Sequence, residues 1–272
     1  MKNIYLFLLF IILLSACQEK NQPKDITKQN NIPKIDTISY ELKSISKESG
    51  DCEGEMGKCI TAVVQYVAVK SNQPIAHQVI NTSIEKVTKG NAPTIAASLD
   101  SFIVEAKKFF EEFPDVPTGY GLEVEQSVLL NTPTLLTIEA FNYAFTGGAH
   151  GNYGTVYYNF DATTGKMIRL EDILIEAYEI PLKAIAEPIF KQNYLETGMT
   201  NYSDAGFYFE NDVFKLTENF AITKEGLKFL YNPYEVAPYV LGQQEIIIPY
   251  VDLTELIKPN SLIEQFVSTQ SI

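Results

Sequence analysis

The order in which apolar periodicity changes along this chain constrains its fold more than any other feature. Residues 35–47 and 59–70 carry the β-rich pattern of strands, and residues 61–69 have little polar interruption, as in a well-covered strand. Helical spacing follows. Pro74 opens one segment with Ile80, Ile84 and Val87 on a face, and Leu99, Phe102, Ile103, Ala106, Phe110 and Phe113 form the stripe of another, ended by Pro114 and Pro117. Three more strands are expected at residues 122–130, 135–145 and 153–160. The second is apolar on both faces and so belongs inside a sheet. A turn at 161–166 leads to a short helix from Leu170 and a longer one over 181–196. In the longer helix Leu182, Ile185, Ala186 and Ile189 face inward and Pro188 is expected to kink it. Residues 219–223, 226–231 and 245–249 read as closing strands. Strands in clusters separated by helices imply an α+β fold, mainly antiparallel sheet with helices packed on it. Two sequential subdomains, 34–150 and 151–260, packed together and followed by a tail at 261–272, fit this order.

The N-terminus sets the compartment. Lys2 precedes an unbroken apolar run at residues 4–14, shorter than the about 20 residues a membrane span needs but suited to a signal peptide. Leu14-Ser15-Ala16-Cys17 reads as the site at which a lipoprotein leader (residues 1–16) is removed and Cys17 acylated; the alternative is an ordinary cleavable signal with a chance cysteine. The chain is then expected in the cell envelope, outside the cytoplasm, held to a membrane by lipid on Cys17. Residues 17–33 are polar, with two prolines, and read as a flexible tether. The remaining 256 residues are long enough to bury roughly 70–75% of the unfolded surface, so a core needs no metal.

Export also fixes the reading of the cysteines. With Cys17 used by lipid, Cys52 and Cys59 remain, at the connection between the first two strands. In an oxidising compartment they read as a structural disulfide, with a redox-active pair as the alternative despite the absent Cys-x-x-Cys spacing. The formal charge of −13 becomes −14 without Lys2. That balance repels nucleic acid and either steers basic partners or serves solubility.

Catalytic motifs are scarce. No Gly-x-Ser-x-Gly, P-loop or Gly-x-Gly-x-x-Gly pattern occurs. Ser44-x-x-Lys47 and Ser83-x-x-Lys86 lack the Lys-Thr-Gly that would give them meaning. His77 and His150 are the two histidines and have no partner at zinc-ligand spacing, so neither a metal nor another cofactor is expected. His150 lies in a glycine-dense connection, Thr146-Gly147-Gly148-Ala149-His150-Gly151. It reads either as a turn cap or as a ligand donor oriented by Asp161. The most unusual stretch is residues 231–239, where Tyr231, Asn232, Tyr234, Glu235 and Tyr239 stand among prolines. Its rings suit either a recognition surface or a loop folded back on the core.

Several of these segments resemble a known family. Tyr143-x-x-Thr146-Gly147-Gly148-Ala149-His150 comes first, followed by Tyr158-Asn159-Phe160-Asp161-x-x-Thr164-Gly165-Lys166 leading into Leu170-x-Asp172-Ile173-Leu174. Asn232-Pro233-Tyr234-Glu235-Val236-Ala237-Pro238-Tyr239 and Ile248-Pro249-Tyr250 complete the likeness. Together they look like the extracytoplasmic region of RsiV-type anti-sigma factors. There a domain resembling the accessory domain of the peptidoglycan deacetylase PdaC precedes a C-terminal domain of uncharacterised function. That region binds lysozyme, so the resemblance implies a sensor-like binding module for lysozyme-like enzymes or cell-wall glycan fragments. Neither a sigma-binding segment nor the deacetylase's metal-dependent catalytic domain has a counterpart in this sequence, and neither activity is carried over. A structural envelope protein is the second reading. An enzyme acting on glycans, with His150, Asp161 and a tyrosine of the 231–239 loop in one cleft, is the third.

Overall fold

The hairpin at the start follows from two β-branched, alternating segments. Strands β1 (Tyr40–Ser49) and β2 (Ile60–Val69) pair antiparallel, Tyr40 opposite Val69 and Ser49 opposite Ile60. In this computed structural model the Cys52–Cys59 disulfide closes their connection, with the Cα atoms 4.6 Å apart. Residues 37–52, 59–70, 74–115 and 118–267 are described. The leader, Cys17, the tether and residues 53–58 lie outside them.

Helices α1 (Pro74–Lys89) and α2 (Ile95–Glu112) connect β2 to β3 (Tyr120–Asn131). The crossover returns the chain in the same direction, so β2 and β3 pair parallel from Ile60↔Tyr120 to Gln65↔Glu125. Thr94 caps α2, its hydroxyl accepting the Ala97 N–H. Of the stripe expected on α2, Leu99, Ile103, Ala106 and Phe110 are buried and Phe102 is half-buried. Leu99, Ile103 and Phe110 each contribute about 1.5–3 kcal/mol by leaving water. Phe113 corrects the pattern, because the helix ends at Glu112 and Phe113 has non-helical backbone angles (φ −123°, ψ 73°). The 3.6-residue phase no longer applies there, and its ring is exposed against Phe109.

Strands β4 (Leu135–Phe145) and β5 (Asn152–Asp161) complete a sheet of order β1-β2-β3-β4-β5, antiparallel except for the β2–β3 pair. β4 lies between β3 and β5, as its two apolar faces require. A division of the chain at 150/151 falls between paired strands, and the sheet continues to Asp161. There Asp161 Oδ1 accepts from the Thr163 backbone and hydroxyl while Oδ2 accepts from the Thr164 hydroxyl. Burial raises the Asp161 carboxyl pKa, but these hydrogen bonds outweigh it and hold the group below its ordinary value.

The second half contains α3 (Leu170–Ile173), α4 (Glu179–Tyr194) and an antiparallel sheet of β6 (Phe220–Ile222), β7 (Gly226–Tyr231) and β8 (Gln244–Pro249) in the order β6-β7-β8. Helix α4 continues through Pro188. Its Phe190 is the centre of an aromatic core, with Tyr194, Tyr202, Phe207, Phe209, Phe214 and Tyr231 rings 4.9–6.0 Å away. Residues 261–267 of the expected tail are described. Ile263 is fully buried, and the Phe266 ring of α5 (Glu264–Val267) stacks 5.2 Å from Tyr250. The protein is thus α+β, with two mostly antiparallel sheets in sequence. Residues Ile35–Ile272 form one compact unit.

Side-chain amides finish what the strands leave unpaired. A primary amide offers one acceptor and a donor pair, as a peptide does, so it can take the place of a strand at a sheet edge. Asn131 bonds both the N–H and C=O of Ile38, and Asn81 both those of Val69. Asn159 reaches from β5 to the backbone of β6, where its Nδ2 donates to Phe220 O (2.8 Å) and its Oδ1 accepts the Ile222 N–H (2.8 Å). In return Asn219 accepts the Tyr157 N–H and donates to Thr155 O.

Candidate interaction surface

The connection between β4 and β5 needs its glycines: Gly147 and Gly148 have φ of +88° and +95°. A methyl at Gly151 would collide with the Tyr143 ring. His150 emerges exposed from this bend, its Nδ1–H donating to the Gly151 carbonyl at 2.9 Å. Its imidazole stacks on Tyr239, with centroids 3.9 Å apart and planes inclined by 17°. Tyr239 in turn meets Tyr153 edge-on at 5.5 Å and Tyr234 at 5.8 Å, and Tyr153 lies 6.1 Å from Phe141. Partial desolvation, then the neighbouring Tyr153, Tyr143 and Tyr234 hydroxyls, push the Tyr239 phenol above its ordinary pKa.

The other wall is the loop joining β7 to β8. Within it Tyr234 has φ +70°, a left-handed conformation uncommon for a bulky residue. It is held by its N–H to Ala237 O and by Glu235 N–H to Asn232 O. Tyr234 is 55% exposed, and beyond it Val240 (86%) and Leu241 also face solvent. Tyr208, 52% exposed, joins the rim, since its N–H donates to Val236 O. The segments that build this surface share a charge property. Residues 109–165, 192–214 and 229–257 contain no Lys or Arg, whereas Asp204, Glu210, Asp212 and Glu235 lie among them.

The structure therefore brings His150, Tyr234, Glu235 and Tyr239 to one region and separates two other candidates from it. Tyr231 is not surface. It ends the central strand of the second sheet, its ring packs on Phe190 and Phe209, and its hydroxyl donates to Lys215 O at 2.7 Å. Asn232 is half-buried and spends its amide on β5: Oδ1 accepts the Thr155 N–H (2.6 Å), and Nδ2 donates to Thr155 O (3.1 Å) and Glu235 Oε1 (3.3 Å). The pairing of His150 with Asp161 is also overturned. His150 precedes β5 by two residues and Asp161 ends it, so the ten-residue strand, about 30 Å long at 3.3 Å per residue, lies between them. Among the described residues no group of three or more His, Cys, Asp or Glu side chains is placed to hold a metal. Nor is any helix among them long and apolar enough to cross a membrane. Tyr153, Tyr208 and Gln243 escape sequence reasoning, because only the docking of distant segments makes them neighbours.

Two family models match in tandem. Residues 57–153 match "Deacetylase PdaC", and residues 171–251 match "Protein of unknown function (DUF3298)". The matches give a PdaC-like N-terminal plus DUF3298 C-terminal arrangement. Of the solved structures, a DUF3298-family protein from Bacteroides fragilis is 22% identical, with a TM-score of 0.69 over 85% of this chain and 99% of its own. Another from Pseudomonas aeruginosa is 23% identical, with a TM-score of 0.64 over 83% and 97%. These likenesses establish a shared fold across both halves. No curated protein matches the chain. The order PdaC-like then DUF3298 is the order implied by the motifs from Tyr143 to Tyr250. The surface draws His150 and Tyr153 from the PdaC-like segment and Tyr234 and Tyr239 from the DUF3298 segment.

Proposed function

We propose that this protein is a lipid-anchored binding module of the cell envelope. In this reading it captures a basic protein, of the lysozyme class, on the surface formed by the β7–β8 loop and His150. One observation carries the reading: exposed tyrosine and histidine rings are gathered from three segments that hold carboxylates but neither Lys nor Arg. Such a surface suits arginine and lysine side chains, which stack on aromatic faces and pair with carboxylates at the rim. The net charge of −13 adds long-range attraction, so association should be fast and should weaken as salt rises. Lipid on Cys17 would hold the module where such enzymes act. Calorimetry with several lysozymes at low and moderate salt tests the proposal, with Tyr234→Ala and Tyr239→Ala as surface variants. Binding lost in both variants is expected. No binding of any lysozyme in either salt condition removes the idea, and salt-independent binding of peptidoglycan oligosaccharides instead would replace the partner with a glycan.

A further inference from the structure

The loop that carries Tyr234 and Tyr239 leaves β7 at Asn232 and rejoins β8 at Gln243, and both stems come to one point on β5. Asn232 takes the N–H and C=O of Thr155. Gln243 Nε2 donates to Asn232 Oδ1 (3.0 Å) and to the Thr155 hydroxyl (3.0 Å). Gly154 leaves the room for this approach, since a Cβ there would stand 3.2 Å from Asn232 Oδ1. One residue further on, the Gln244 amide, 1% exposed, donates to Leu241 O and Gly242 O, fixing the last turn of the loop.

We infer that Asn232, Gln243 and Thr155 form a lock that preforms the recognition loop, so that Asn232 and Gln243 are positioning residues rather than contact residues. The lock ties the loop to the strand that begins just after His150, and so sets the stacking of Tyr239 on His150 across the two halves of the chain. A loop ordered before the encounter surrenders less conformational freedom on binding, and the gain falls mainly on the dissociation rate. This inference rests on the proposed surface for its functional meaning, but its geometry can be tested without any partner.

The chain has two histidines, so selective ¹³C-histidine labelling of the whole protein gives two ring signals, and His150→Ala assigns them. In the native protein the Tyr239 ring should shift the His150 signal upfield, and Tyr239→Ala gives the unstacked reference. Asn232→Ala and Gln243→Ala are expected to move the His150 signal toward that reference. They should also weaken lysozyme binding about tenfold, chiefly through faster dissociation. Thr155→Val, which removes only the hydroxyl bonded to Gln243, should give a smaller displacement and guards against misfolding of the first two variants. A His150 signal unchanged in all three variants overturns the lock. A displaced signal with unchanged lysozyme affinity upholds the lock and counts against the proposed docking surface.

Discussion

Asn159→Leu is the substitution that most directly tests how the two halves are joined. β6 gives the N–H and C=O of alternate residues to β7, as the Asn219–Leu230 and Thr223–Gly226 bonds show, which turns those of Phe220 and Ile222 toward β5. Asn159, 2% exposed, bonds the Phe220 C=O and the Ile222 N–H and also accepts the Thr137 hydroxyl at 3.1 Å. Leucine keeps the branching at Cγ and the number of side-chain heavy atoms, and although its methyls are bulkier the loss is dominated by the polar term. Three buried groups lose their partner at about 1–3 kcal/mol each, and the added apolar surface returns only part of this. A net loss of about 3–5 kcal/mol is expected, a large share of the 5–15 kcal/mol typical of a folded domain. Urea unfolding followed by circular dichroism should show a lower midpoint at unchanged m-value. Thr137→Val in the same chain removes one orphaned group and should recover about 1–2 kcal/mol, a coupling a mutant cycle measures directly. A single-variant loss below about 1 kcal/mol would refute the argument that this amide joins the sheets.

Phe190→Ala, which empties the centre of the aromatic core, should cost about 3–5 kcal/mol by the same unfolding measurement. Replacing Cys52 and Cys59 by serine should cost about 2.5 kcal/mol in the chain-entropy model, read as the shift of the urea midpoint against the oxidised protein. The lowered Asp161 pKa means its ionised form is favoured by folding. Its contribution is therefore complete above the unfolded aspartate value and lost as the pH falls below about 4. Asp161→Asn should flatten that part of the acid limb in melts between pH 5 and pH 2.

Much of the fold was legible because periodicity reports it. The alternation of β2, the stripe of α2 and the two-faced β4 were readable over short windows, and the Cys52–Cys59 bond followed from cysteine usage. The misreadings have local causes. Phe113 kept the helical spacing one residue after the helix had ended. Tyr231 adjoins the loop tyrosines in sequence yet still belongs to a strand covered on both faces. What was not legible is the set of side-chain amides. Asn131, Asn159 and Asn232 bond backbone 93, 61–63 and 77 residues away, and a contact at that range leaves no periodic trace. The surface itself was half legible, since the tyrosines and His150 could be nominated singly but their stacking depends on those amides.

The joint has a consequence for where recognition resides. Apolar packing tolerates small slides between layers, whereas an amide bonded to a backbone N–H and a backbone C=O of a facing segment fixes register, since a displacement of one residue breaks both bonds. Asn159, Asn219 and Asn232 all act along the outer edge of β5, from Thr155 to Asn159, so the second half is indexed to the first residue by residue. His150 and Tyr153 lie on one side of that joint, and Tyr234 and Tyr239 on the other. The stacked pair is therefore a property of the assembled chain and of neither half. Residues 171–251 produced alone would carry the loop but lack both its anchor at Thr155 and its stacking partner, His150.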